Sequence, residues 1–219
     1  MPAPALQDPP STAQLLLTLQ DVTTPSRATI DAAKSKAGGG GVKTKGGEVV
    51  LPPYFAPEPR NQQERREWER MAVRMESFHS YFRAAFKQLF ELADGSFERH
   101  GLSVGDFMDL AEDFLRHLEW HHGFEERNMF PFLAKRMPQF AEPHQEEHDA
   151  IHAGLQQLEV LISKYRASPT SYSSTEFRTS LASWGPVLFY HLDAEVQSLS
   201  GDVLRRYWTL EDLRRLLPV

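Results

Sequence analysis

Histidines and carboxylates recur four residues apart along the apolar stripes of this chain: His121 with Glu125, His148 with His152, and His191 with Glu195, with a single His79 upstream. Residues four apart on a helix project from the same face, so each pair can offer two ligand atoms to one ion. The pattern restricts the fold. One helix presents only two neighbouring ligands, so an ion bound in the interior requires several helices to converge on it. Five histidines and two carboxylates on four helices would make a compact site for two transition-metal ions.

Helical periodicity supplies those four helices. From Asn61 the residues Trp68, Met71, Met75, Phe78, His79, Phe82, Phe86, Leu89 and Phe90 recur at helical spacing, predicting a first helix to about Asp94, closed by Gly95. Ser103 and Asp106 form a capping box for a second helix, whose stripe runs Phe107, Leu110, Phe114 and Leu118 and on through His121 and Glu125. Pro131 bends that helix or ends it near Phe130–Met137. Pro143 suits the first turn of a third helix carrying His148, Ile151, His152, Leu155, Leu158 and Ile162, which stops before Pro169. Ser173 and Glu176 predict another capping box, opening a fourth helix that Gly185–Pro186 should kink ahead of Leu188, His191, Glu195 and Leu199. A short helix over residues 209–217 covers one end of the bundle. No strand pattern competes.

Polar groups placed in a core stripe cost several kcal/mol, an order-of-magnitude figure, unless they are paired, and coordination would satisfy all of them together. Each element has an ordinary reading by itself: His79 as a satisfied core histidine, His121–Glu125 and His191–Glu195 as surface ion pairs. Four helices repeating the same placement is the stronger observation. Several neighbours compete for roles. His122 and Glu126 form a second pair turned about 100° from the first, either orienting the ligands from behind or, for His122, replacing one of them. His144 lies one turn before His148 and rivals His152, although Pro143 places it near the end of the bundle. His117 suits packing or ligand orientation, and His100 falls between helices.

Composition narrows the chemistry. The chain has no cysteine, which removes thiolate zinc sites, disulfides and cysteine-bound iron–sulfur clusters and leaves His, Asp and Glu as ligands. A net charge of −6 without a long basic stripe disfavours nucleic acid as a partner. No stretch reaches the roughly 18 apolar residues of a membrane span, and Leu15–Leu17 is too short for a signal peptide, so a cytoplasmic location is expected. Residues 1–60 hold nine of the fifteen prolines and the Gly38–Gly41 run, and read as a flexible leader ahead of a domain over 61–219.

These residues resemble the hemerythrin-like, or HHE cation-binding, family and its fungal branch. The resemblance rests on His79 in Phe-His-Ser-Tyr-Phe, on His121-His-Gly-Phe-Glu-Glu-Arg-Asn-Met-Phe-Pro131, on Glu147-His-Asp-Ala-Ile-His-Ala-Gly-Leu155, and on Leu188-Phe-Tyr-His-Leu-Asp-Ala-Glu195. It covers roughly residues 70 to 215. It implies an all-α, antiparallel, up-and-down four-helix bundle holding two iron ions bridged by carboxylates and a solvent-derived oxygen. By that analogy His79, His121, Glu125, His148, His152, His191 and Glu195 are the ligands, with Glu125 and Glu195 as bridges. One departure stands out: oxygen-carrying hemerythrins place the last carboxylate five residues after its histidine, where this chain has Val196, whereas Glu195 stands at four. That argues against simple reversible oxygen carriage.

Imidazole and carboxylate ligands suit iron, manganese or zinc alike, and the resemblance favours iron. Three functions follow as expectations. The first is a non-haem di-iron protein that takes dioxygen or another small diatomic ligand as carrier, sensor or store. The second is an oxidoreductase that oxidises a small organic substrate in fungal secondary metabolism, with Phe82, Phe86, Phe114, Phe124, Trp184 and Phe189 as pocket walls. The third is a metal-free helical interaction module. Substrate, electron donor and oligomeric state are not encoded in the spacing.

Overall fold

A computed structural model describes residues 56–216, and among these the chain is helical throughout. Most of the expected leader lies outside the described residues. Its last stretch, 56–60, is fastened to the domain rather than free. The Ala56 N–H donates to the Arg205 carbonyl at 2.8 Å, and the Arg205 guanidinium returns a bond to the Ala56 carbonyl at 3.1 Å while pairing with Glu58.

The helix α1 spans Gln62–Leu92, started by Asn61, whose side chain accepts the Glu64 N–H at 2.9 Å. It ends two residues before the expected limit. Gly95 takes φ +94°, a region costly for residues with a Cβ, and turns the chain into a 3₁₀ turn at Ser96–His100. The helix α2, Val104–Phe124, opens on the reciprocal capping box expected of Ser103 and Asp106. The helical run that it begins ends at Leu133, inside the Phe130–Met137 stretch expected for its end. The chain passes through a π turn at Glu125–Met129 into a short α3, Phe130–Leu133, with Pro131 in the first turn, where no N–H is required of it.

The third predicted helix is α4, Pro143–Ala167, and the fourth is α5, Ser174–Ser198. Only half of the second capping box forms. The Ser173 hydroxyl accepts the Glu176 N–H at 3.2 Å, but the Glu176 carboxylate turns away to Lys164 and Tyr165, each at 2.6 Å. The helix α5 runs on through Gly185 and Pro186. The expected terminal helix is α7, Leu210–Leu216, and a short α6, Gly201–Leu204, which the sequence did not announce, precedes it.

The four long helices close a ring: α2 packs against α1 and α4, and α5 packs against α4 and α1. The short connections make successive helices antiparallel, the geometry of a hemerythrin-like bundle. One end is filled by Trp68, Met71, Met75, Phe130, Leu133, Met137, Leu204, Trp208 and Leu213. The other is aromatic, with Phe97 stacked on Phe107 at 4.8 Å and Phe86 edge-on to Trp184 at 5.2 Å. His79 lies on α1 between Met75 and Phe82, so the polar residues occupy the waist between two apolar ends.

Two helical glycines set the closeness of α4 and α5 to their neighbours. A Cβ on Gly154 would lie 2.2 Å from the Trp184 ring, and one on Gly185 would lie 2.7 Å from Phe86 Cζ. A methyl group at residue 154 therefore overpacks the core despite alanine's better helix propensity. Urea denaturation of Gly154→Ala is expected to show a loss of about 1–3 kcal/mol. Gly105→Ala, whose Cβ meets only Ser103 Oγ at an ordinary 3.5 Å, should be neutral or gain up to about 1 kcal/mol.

Candidate metal centre

Eight polar residues are buried at the waist: His79, His121, His122, Glu125, His144, His148, His191 and Glu195. Every long helix contributes at least one. The histidines face each other in two pairs, His79 Nε2 with His121 Nε2 at 3.2 Å and His148 Nε2 with His191 Nε2 at 3.2 Å. The outer nitrogens fix the tautomers of three of these rings. His79 Nδ1 lies 2.9 Å from the Leu192 carbonyl, which only accepts, so Nδ1 carries the proton and Nε2 an inward lone pair. His148 Nδ1 donates to Glu126 at 2.8 Å and His191 Nδ1 to Glu147 at 2.9 Å. Two lone pairs then meet across 3.2 Å with no proton between them, an arrangement that a cation would satisfy.

Glu125 and Glu195 stand between the pairs. Glu125 Oε1 is 3.1 Å from His121 Nε2 and its Oε2 is 3.6 Å from His148 Nε2. Glu195 Oε2 is 3.4 Å from His79 Nε2 and 3.7 Å from His191 Nε2. None of these four carboxylate oxygens accepts a well-formed hydrogen bond, although both side chains are buried. Buried carboxylates without donors are costly unless they coordinate a cation. The donor set fits transition-metal ions: imidazole nitrogens and carboxylates within 4.8 Å of one another, with His79, His121, Glu125 and Glu195 in one group and Glu125 shared with His148 and His191 in the next.

Residues 70–200 match the sequence profile of the hemerythrin HHE cation-binding domain. This chain belongs to the hemerythrin family. The hemerythrin-like chain is also 31% identical over 115 residues to the "Dimeric xanthone biosynthesis cluster protein R11" of Cryptosporiopsis sp. (strain 8999). That match takes in 52% of this chain and 42% of the relative, so it spans less than half of the relative's length. No solved structure matches.

Within this hemerythrin-like centre, six of the seven expected ligands come together: His79, His121, Glu125, His148, His191 and Glu195. His152 stands apart from the groups around Glu125. It is about one-third exposed, with a side-chain accessibility of 32%, and its Nε2 meets Glu126 at 3.1 Å. His144 is buried but turned to Glu147 Oε2 at 2.9 Å and Ser198 Oγ at 3.1 Å. His122 lies inside, stacked on His148 with ring centroids 3.9 Å apart. His117 is exposed and donates to the Asp113 carbonyl, away from the centre. Among the expected walls, Phe82 lies against His121 at 5.0 Å, and Phe86 contacts Phe114, Trp184 and Phe189. Phe124 is not a wall: it is 47% exposed and stacks on Trp120 at the surface. Phe130, which the sequence reading assigned to no role at the centre, packs on His148 at 4.9 Å; its place before Pro131 gave no signal of this.

Burial sets the charge states. It drives the His148 imidazole down to about 2, with the neighbouring His191 adding to the effect, and His121 down to about 4 with help from His79. His122 is held well below the ordinary imidazole range by burial and then by His148 and His191. Burial and the nearby Glu195 hold the Glu125 carboxyl well above its ordinary range, whereas Glu195, against the same burial, is held down by His79 and His191. The His121, His122 and His148 imidazoles are thus neutral and ready to coordinate at ordinary pH.

Glu126 and Glu147 hold the inner imidazoles from behind. Burial would raise the Glu147 carboxyl, yet the hydrogen bonds from His144 and His191 bring it down to about 2, so it remains an acceptor for both rings. Replacing it frees the orientation of His191. In Co(II) titrations of metal-stripped protein, Glu147→Ala is expected to weaken binding about 10- to 100-fold. Glu146→Ala, on the exposed side of the same turn, should leave binding at the wild-type value.

Among the described residues no helix is long and apolar enough to cross a membrane.

Proposed function

We propose that this chain is a non-haem di-iron protein that binds or activates dioxygen. The observation that carries the reading is the convergence of two imidazole pairs on two shared, donor-free carboxylates in a buried waist. His79, His121, Glu125 and Glu195 would hold one ion, and His148 and His191 would hold the other with Glu125 in common. Bound ferrous ions would supply the electrons that dioxygen accepts. The chain's own residues do the rest. Leu192, Glu126 and Glu147 keep the protons on the outer imidazole nitrogens. Phe82 and Phe130 pack against His121 and His148 and limit water at those rings.

A second reading, oxidation of a small organic molecule in fungal secondary metabolism, draws support from the xanthone biosynthesis in the relative's name and from the four-residue step between His191 and Glu195. Deletion of the gene should then remove a metabolite that wild type restores and Glu125→Ala does not. An unchanged metabolite profile would count against it.

Metal analysis and Mössbauer spectroscopy on freshly purified protein are expected to show two coupled iron ions per chain. Anaerobic reduction followed by oxygen should bring up a charge-transfer band in the near-ultraviolet or visible. Iron-reconstituted wild type that never develops such a band would overturn oxygen chemistry, and wild type that binds no metal would restore the interaction-module reading. Glu125→Ala removes the shared carboxylate and should cost both ions.

A further inference from the structure

We infer that His122, and neither His144 nor His152, supplies the third imidazole to the ion held by His148 and His191, an assignment that rests on the two-ion reading. His122 is fully buried, and neither of its ring nitrogens has a hydrogen-bond partner. It lies against both rings of the proposed second ion, stacked on His148 at 3.9 Å with planes 15° apart and edge-on to His191 at 5.4 Å, so that turning the His122 ring out of the stack would bring its lone pair toward the ion. Ligand atoms of His122, Glu125, His148 and His191 all fall within 4.8 Å of one another. Two donors bound at about 2.1 Å to one ion, the zinc–nitrogen value, lie at most about 4.2 Å apart, so a common ion would draw these atoms closer together.

The two rival histidines are committed elsewhere. Both nitrogens of His144 are used, by Glu147 and by Ser198. His152 points its Nε2 at Glu126. Each rival therefore holds a carboxylate, and each carboxylate in turn holds an inward ring: Glu147 holds His191 and Glu126 holds His148. Only the middle histidine of the run on α4 reaches the centre.

Helix geometry explains how α2 takes over the missing ligand. Neighbouring residues on a helix are turned about 100° apart, so His121 faces His79 while His122 faces His148 and His191. Glu125 follows His121 by four residues and His122 by three, which places it beneath both. One helix thus addresses both ions and the bridge between them.

Full-length protein stripped of metal and titrated anaerobically with Fe(II), and separately with Co(II), tests the assignment. Wild type should bind two ions. His122→Phe, which keeps the core filled, should bind one ion tightly and the second at least 100-fold more weakly. His152→Gln should still bind two, the second weakened less than tenfold. The inference is overturned if His122→Phe binds both ions with wild-type affinity, or if His152→Gln loses the second ion. Wild type that binds fewer than two ions overturns the two-ion reading itself, a separate outcome. If circular dichroism shows His122→Phe unfolded, proton spectra of Co(II)-loaded, ¹⁵N-histidine-labelled protein decide. Five paramagnetically shifted imidazoles should persist in both His144→Gln and His152→Gln, and loss of one in either variant overturns the assignment.

Discussion

Everything at the waist of this bundle depends on the His148 and His191 lone pairs that face each other across 3.2 Å in a buried interior. Such a contact does not hold a fold together by itself; it holds only if a cation lies between or if the surroundings force it. Here the surroundings do force it. Outer acceptors at Leu192, Glu126 and Glu147 pin the protons outward, and apolar ends above and below exclude the water that would otherwise fill the gap. The polypeptide bears the cost of desolvation in advance, so an arriving ion meets ligands already turned toward it.

The π turn at Glu125–Met129 sits where this preorganisation is most demanding. A regular α-helix would carry Glu125 and Glu126 onward with the ordinary twist. The wider turn begins at Glu125 itself and lets the buried Glu125 face the centre while Glu126 reaches both His148 and His152 on α4. Irregular helical turns of this kind occur often at functional sites, where they re-aim side chains at the expense of regular backbone pairing.

Much of this was legible in the sequence because helical period and caps are local. Asn61, the Ser103–Asp106 box and Pro143 marked helix starts that the structure bears out, and the apolar stripes placed the polar residues at one level of the bundle. What could not be read was rotational. His144, His148 and His152 share a face by spacing, and only the packing of α4 decides that the middle one turns inward. His122, one residue round the helix from His121, looked turned away from the centre, yet the packing buries it there against His148 and His191. Likewise Glu176 fits a capping box on paper, but Lys164 and Tyr165 outbid the backbone for its carboxylate.

The run of three histidines on α4 carries a hazard that the glycine at residue 154 removes. Sliding that helix by one turn, about 5.4 Å, would exchange one imidazole for another at the centre, so ligand chemistry alone distinguishes poorly between adjacent registers. The indole of Trp184 seats on Gly154 with no room for even a methyl group, and a one-turn slip would bring Leu158 or Ala150 to that seat instead. The notch works as a mechanical key. Shape selects the register, and the choice of which histidine turns into the centre is made by a residue that has no side chain.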